Sequence, residues 1–216
     1  MRELNYTFGN KKPEKIENSE DLHLADARFL DCETNPLIPY WINNTTCFGR
    51  VKNTFGFSLP RSSKIKNILE IGCSIGMTTL ELNELYPGSN IIAADINSVN
   101  LARSNLKRFK NITFYHGDGY YPSTFCNINS QDAVFLMNNL AHVANKMNSF
   151  DLESVLHNIS SVLKPGGYML ISSDDCYIIS RKKEYSQEII KCYKSGGIAY
   201  NNHSKIAKIE DLIKKL

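Results

Sequence analysis

The stretch "LEIGCSIG", residues 69–76, sets an acid, Glu70, inside an apolar run and follows it with Gly72, Cys73, Ser74 and Gly76. An ionised carboxylate is costly to bury without a partner, and closely spaced glycines are costly to order unless the backbone needs them. A polar ligand therefore belongs beside this turn. Two more carboxylates close later apolar runs, Asp95 in "IIAADIN" and Asp118 in "FYHGDGYY". Carboxylates repel phosphate oxygens and attract ammonium and hydroxyl groups, so Glu70 suits a ligand with an amino group and a ribose better than a pyrophosphate. Each acid also has a plain structural reading: Asp95 as the cap of a helix starting near Ser98, and Asp118-Gly119 as a tight turn. Their joint placement at consecutive strand ends favours a shared site.

The elements that must position these residues are legible as an alternation. Apolar runs at 67–72, 90–95, 111–115, 132–137 and 167–172 predict strands, and amphipathic segments at 76–86, 98–108 and 149–163 predict helices between them. Parallel strands need crossover connections, which lay helices on both faces of the sheet. The fold class is α/β, a doubly wound, mostly parallel sheet. Its ligand crevice lies at the carboxyl ends of the strands, where strand order reverses. Before this domain, assigned to 58–216, residues 1–57 read as a charged tail followed from Asp21 by a helical cap rich in aromatics, among them Tyr40 and Trp41. After the fifth strand, Ile178, Tyr185, Ile189 and Tyr193 read as one face of an amphipathic segment, and "KIEDLIKKL" as a last helix. No further strand is expected, so the fifth would be a bare edge unless the cap, the 178–193 segment or a second subunit of a homodimer covers it.

Composition narrows the class. With 216 residues, 42% hydrophobic and 22% charged, the chain can bury one substantial core, and its formal net charge of +3 does not demand a polyanionic partner. Six cysteines without a C-x-x-C pair offer no zinc or redox motif, and no metal site is expected. The polar start and the lack of a long apolar run predict neither a leader nor a membrane span, which points to the cytoplasm.

Five segments in register resemble the class I S-adenosylmethionine (SAM)-dependent methyltransferases. "LEIGCSIG" looks like the first motif of that family, an acid followed by three alternating glycines, with Ser74 where the middle glycine usually stands. "IIAADIN", ending in Asp95 about twenty residues further on, "FYHGDGYY", "DAVFLMNNLAHV" and "VLKPGGYMLIS" follow in the family's order. The resemblance implies that Asp95 accepts from the ribose hydroxyls while Ile96 packs on adenine. It implies that Asp118 takes the adenine amino group, with main chain from Gly119, and that Asn138, followed by Leu140, offers its carbonyl to the methionine amino group. Gly72, Cys73, Ser74 and Gly76 would line the methionine moiety, with Glu70 ordering the loop or meeting the amino group through water. Most members of the family end in an antiparallel strand pair after a final helix, and this chain looks as if it lacks that pair.

The activity so implied is transfer of the sulfonium methyl group to an oxygen or nitrogen of a small molecule or peptide, leaving S-adenosylhomocysteine (SAH). His142, just past the fourth strand, is either the base that takes the acceptor's proton or a histidine packed against its helix. Tyr40, Trp41, Tyr120 and Tyr121 are either an aromatic acceptor pocket or core packing. A non-catalytic SAM-binding partner subunit is the alternative from another class, favoured by the missing strands and by the absence of an assured base. An RNA methyltransferase is a third reading, and the Asn/Asp-Pro-Pro-Tyr/Phe signature of amino-directed DNA enzymes is absent from "LMNN".

Overall fold

A computed structural model describes residues 50–96, 99–137, 139–140, 148–173, 176–194 and 200–216. Tyr40, Trp41, Asn138, His142 and most of the expected cap lie outside them.

Seven strands form one sheet: β1 (Asn67–Ile71), β2 (Asn90–Asp95), β3 (Ile112–His116), β4 (Gln131–Met137), β5 (Leu163–Ser173), β6 (Cys176–Lys182) and β7 (Gln187–Tyr193). Their order is β3-β2-β1-β4-β5-β6-β7. The first five run parallel, with Ile68 level with Ile91 on one side and Ala133 on the other. Strand order reverses between β1 and β4, which places the crevice at the ends of β1, β2 and β4.

Side-chain alternation along β1 explains both halves of the core. Ile68 points to a layer formed by α1 (Arg50–Phe55), α2 (Met77–Leu85) and α3 (Val99–Asn105), where it packs with Val51, Phe55, Leu80, Leu82, Val99 and Phe135. Leu69 and Ile71 point the other way, into a layer under α4 (Ser149–Val162) and α5 (Tyr200–Ile213) that includes Leu152, Leu156, Ile206 and Ile209. The sheet is covered on both faces, as the alternation predicts. No described helix is long and apolar enough to cross a membrane.

The expectation of a missing antiparallel pair is overturned. β6 pairs antiparallel with β5, Ser173 opposite Cys176 and Tyr168 opposite Arg181, and β7 pairs antiparallel with β6. The pair precedes the last helix, α5, rather than following it. It is hidden in the sequence because "CYIIS" is buried on both faces, so it lacks a polar alternation, and because Tyr185, Ile189 and Tyr193 stand four apart. Tyr185 is 88% exposed near the hairpin tip, where the Lys183 N–H donates to the Ser186 carbonyl at 2.8 Å. β5 is thus not a bare edge, and the reason for invoking a second subunit to cover it is gone.

From the cap range, α1 lies against the sheet. Its Phe55 makes edge-to-face contact with Tyr177 of β6 at 5.2 Å between ring centres and with Phe135 of β4 at 6.4 Å. The N-terminus of α1 is capped from α2, where both oxygens of the buried Glu81 accept main-chain N–H bonds, from Val51 at 3.0 Å and Lys52 at 2.8 Å. Such a carboxylate satisfies orphan donors and opposes the positive end of the helix dipole. Nothing in the sequence pattern marked Glu81, because its partners are main-chain groups far away along the chain.

Candidate active site

The turn leaving β1 is built on three left-handed residues: Gly72 at φ 79°, Ser74 at φ 49° and Gly76 at φ 96°. Ser74 therefore does not stand there with ordinary dihedrals, as its small side chain alone would allow; it bears the strain that the family's glycine avoids, about 1–2 kcal/mol for an L-residue. What holds it is β2. The Gly72 and Cys73 N–H groups donate to the Ala94 carbonyl at 2.8 and 3.1 Å, and the Ser74 N–H donates to Asp95 Oδ2 at 2.9 Å.

Asp95 and Asp118 lie at neighbouring strand ends. Asp95 is level with His116 on β3, and the Gly117 N–H donates to the Asp95 carbonyl at 3.1 Å. Asp118 is exposed, and its Oδ1 accepts the Tyr120 N–H at 2.9 Å, so the turn reading holds for one oxygen. Ile96 (58% exposed) and Tyr121 (53% exposed) present apolar surface next to these acids. His116 is structural: its Nε2 lies 2.8 Å from the Ile96 carbonyl and ties the β2 exit to β3.

Gly119 packs so tightly over β1 that a Cβ there would lie 2.4 Å from Ile71 Cγ2. The loop after β3 thus crosses the end of β1. It carries the Tyr120 hydroxyl to the end of β4, where it donates to Asn139 Oδ1 at 2.8 Å. Tyr120 is pushed well above the ordinary phenol range by burial, with the Asp118 charge adding to it. On its other side Asn139 rests against Gly72, whose Cβ, were there one, would fall 2.3 Å from Asn139 Nδ2.

Glu70 sits beneath the turn on the α2 face of β1, 1% exposed. The Thr79 hydroxyl donates to its Oε2 at 2.5 Å, while Oε1 has no hydrogen-bond partner among the described residues. Burial pushes this carboxyl up to about 8, against the Thr79 hydrogen bond and with help from the nearby Asp95 and Glu81 charges. A buried acid with an orphan oxygen at a turn that leaves main chain accessible is a fit for a cationic group.

Two expected contacts are limited to main chain. Cys73 and Leu140 have side chains 3% and 0% exposed, in opposite core layers, and neither side chain faces a ligand. Reasoning from sequence did not single out Asn139, which the fold brings against the turn after β1.

Residues 68–167, from β1 into β5, match the family described as "Methyltransferase domain". That segment, a little under half of the chain, is similar to a methyltransferase domain. Glu70, Asp95, Asp118 and the left-handed turn fall inside the matched segment. Over 174 residues the chain is 27% identical to malonyl-[acyl-carrier protein] O-methyltransferase 2 of Ilyobacter polytropus, a match covering 74% of this chain and 63% of that protein. The chain thus spans less than two thirds of this relative's length. Among solved structures, it is similar to the N-methyltransferase NodS of Bradyrhizobium japonicum in complex with SAH, at 18% identity and TM-score 0.46, covering 69% of this chain and 71% of that one. It is also similar to a SAM-dependent methyltransferase of Aquifex aeolicus, at 17% identity and TM-score 0.47, covering 68% and 71%. The described fold departs from the expected order in one respect, the strand pair that precedes the last helix.

Proposed function

We propose that the protein binds SAM at the carboxyl edge of its sheet and catalyses methyl transfer to an oxygen or nitrogen nucleophile of a small molecule or peptide. The observation that carries this reading is the buried Glu70, its Oε1 without a partner among the described residues, under a left-handed turn inside the segment that matches a methyltransferase domain. The residues fit the cofactor: an acid for its ammonium group, a left-handed turn with glycine at Gly72, and Asp95 and Asp118 for ribose and adenine. Ile96 offers an apolar surface for the ring, Gly119 brings main chain close, and Gly76 closes the turn into α2. Asn138 would add its carbonyl.

SAM, when bound, supplies a methyl group on a positively charged sulfur, a strong electrophile that needs no activation by the protein. The chain's own task is to hold an acceptor in line and exclude water, and orientation of that kind can lower a barrier by about 7–11 kcal/mol. His142 is assigned the acceptor's proton, and Tyr40, Trp41 and Tyr121 the acceptor pocket. The O-methyltransferase among the relatives favours oxygen as the nucleophile. The reading as a non-catalytic partner subunit loses one of its two grounds, because the strand pair whose absence favoured it is present as β6 and β7.

The test is turnover. Purified protein incubated with SAM and cell extract should accumulate SAH, and His142→Ala should abolish that while leaving SAH binding intact. Binding without turnover in any extract would reject the catalytic reading and return the partner-subunit one.

A further inference from the structure

We infer that the acidic stretch at residues 14–33 of this chain docks on the edge of the sheet at β7. Among the described residues β7 has a strand on one side only, and the surface beside it is apolar: Ile190 is 51% and Tyr193 46% exposed, and Phe57, just after α1, is fully exposed. Phe57 is held next to β7 because the Lys191 ammonium donates to the Ser58 hydroxyl at 2.5 Å. Lys191 also lies 5.8 Å over the Tyr177 ring, and Tyr177 stacks on Tyr193 at 5.4 Å. Exposed apolar side chains standing singly need no explanation, but a group of them along one strand edge marks an interaction site.

Charge identifies the occupant. Residues 176–216, which include β6, β7 and α5, carry nine lysines and arginines against four acids, net +5 in a chain whose whole charge is +3. Residues 14–33 carry seven acids against two bases, net −5. The same stretch sets Leu22, Ala25, Phe29 and Leu30 at helical spacing, so it brings an apolar stripe as well as negative charge to an edge that offers apolar side chains and lysines. Reach and entry point agree. Residues 34–49 join the stretch to α1 and extended span up to about 55 Å, against about 30 Å for the width of seven strands. α1 has six residues, about 9 Å, and its Phe55 touches Tyr177 of β6, so the chain enters the fold close to the edge it covers. A second copy adding its own β7 is the competing occupant. Against it stands the bulge at Ile190, between the pairings of Ile189 with Ser180 and of Lys191 with Ile179, because a bulge twists an edge away from strand addition.

The test is zero-length carbodiimide cross-linking of the whole chain, which joins a lysine to a carboxylate in direct contact, read by mass spectrometry; the Lys194–Glu210 pair, 3.0 Å apart, is its internal control. Links from Lys191 or Lys194 to acids within 14–33 of the same chain are expected. Replacing Glu14, Glu17 and Glu20 together by lysine should lower the yield of links from Asp26, Asp31 and Glu33 by about threefold or more, as the loss of several surface ion pairs implies. Phe57→Ser with Ile190→Ser, which leaves every charge in place, should lower it by a similar factor. Absence of links between 14–33 and these lysines, or a yield that neither set of substitutions moves, overturns the inference. Links found only between isotopically labelled and unlabelled chains overturn it too and give the edge to a second copy. If one variant does not fold, the other decides.

Discussion

Two regions of the molecule bury a glutamate, and they treat it in opposite ways. Where α2 meets α1, Glu81 is 3% exposed and both of its oxygens accept main-chain N–H bonds. Beneath the turn leaving β1, Glu70 is 1% exposed, has one hydroxyl partner, and keeps an oxygen without a partner among the described residues. The cost of burying an acid is met in the first region by the fold itself and left outstanding in the second. Under the proposed function, the cofactor's ammonium group is what meets that cost.

The sharpest way to separate the two is pH. Burial raises Glu70 from 4.5 to about 8, so between those values the native state keeps a proton that the unfolded chain has lost. The sign follows: this contribution is complete below pH 4.5 and is lost as pH climbs through 8, at up to about 1.4 kcal/mol per pH unit and on the order of 3–5 kcal/mol in all. Glu70→Gln should flatten that part of the stability profile in urea titrations, exceed the parent in stability above pH 8, and bind SAH less well. A profile identical to the parent's would mean that the acid is not held neutral by its surroundings.

Glu81→Ala should do the reverse. It leaves the α1 terminus uncapped and costs about 3 kcal/mol, from two charge-assisted bonds, or a melting point lower by roughly 6–12 °C for a chain of this size. SAH affinity of the folded protein should not change, and a large loss of binding would erase the contrast between the two acids. Asp95→Ala stands between the regions in kind, because its carboxylate both braces Ser74 and is assigned to the ribose. Tenfold weaker binding of SAH, about 1.4 kcal/mol, is expected by calorimetry. The smallest effect belongs to Ser74→Gly, which relieves a left-handed residue at φ 49° and should stabilise the protein by up to about 1 kcal/mol with binding kept.

Which parts of this were readable from the sequence follows from how local each signal is. β1 to β5 were legible because apolar runs and amphipathic segments alternate, and Asp95 and Asp118 were legible because they end such runs. The β6–β7 hairpin was not, since "CYIIS" is apolar on both faces and the turn at Lys183–Ser186 contains neither glycine nor proline. Glu81 and Asn139 were missed for a different reason. Each acts on groups far away in the chain, one on main-chain N–H groups and one on a tyrosine and a glycine, and only the packed sheet brings them together.

The central claim is that the turn after β1, with Glu70 below it and Asp95 and Asp118 beside it, is a seat for SAM. Isothermal calorimetry of the whole chain with SAH tests it most directly. A saturable heat with one site per chain and micromolar or tighter affinity, diminished in Asp95→Ala, is the predicted result; no saturable heat with SAH or with SAM would contradict it.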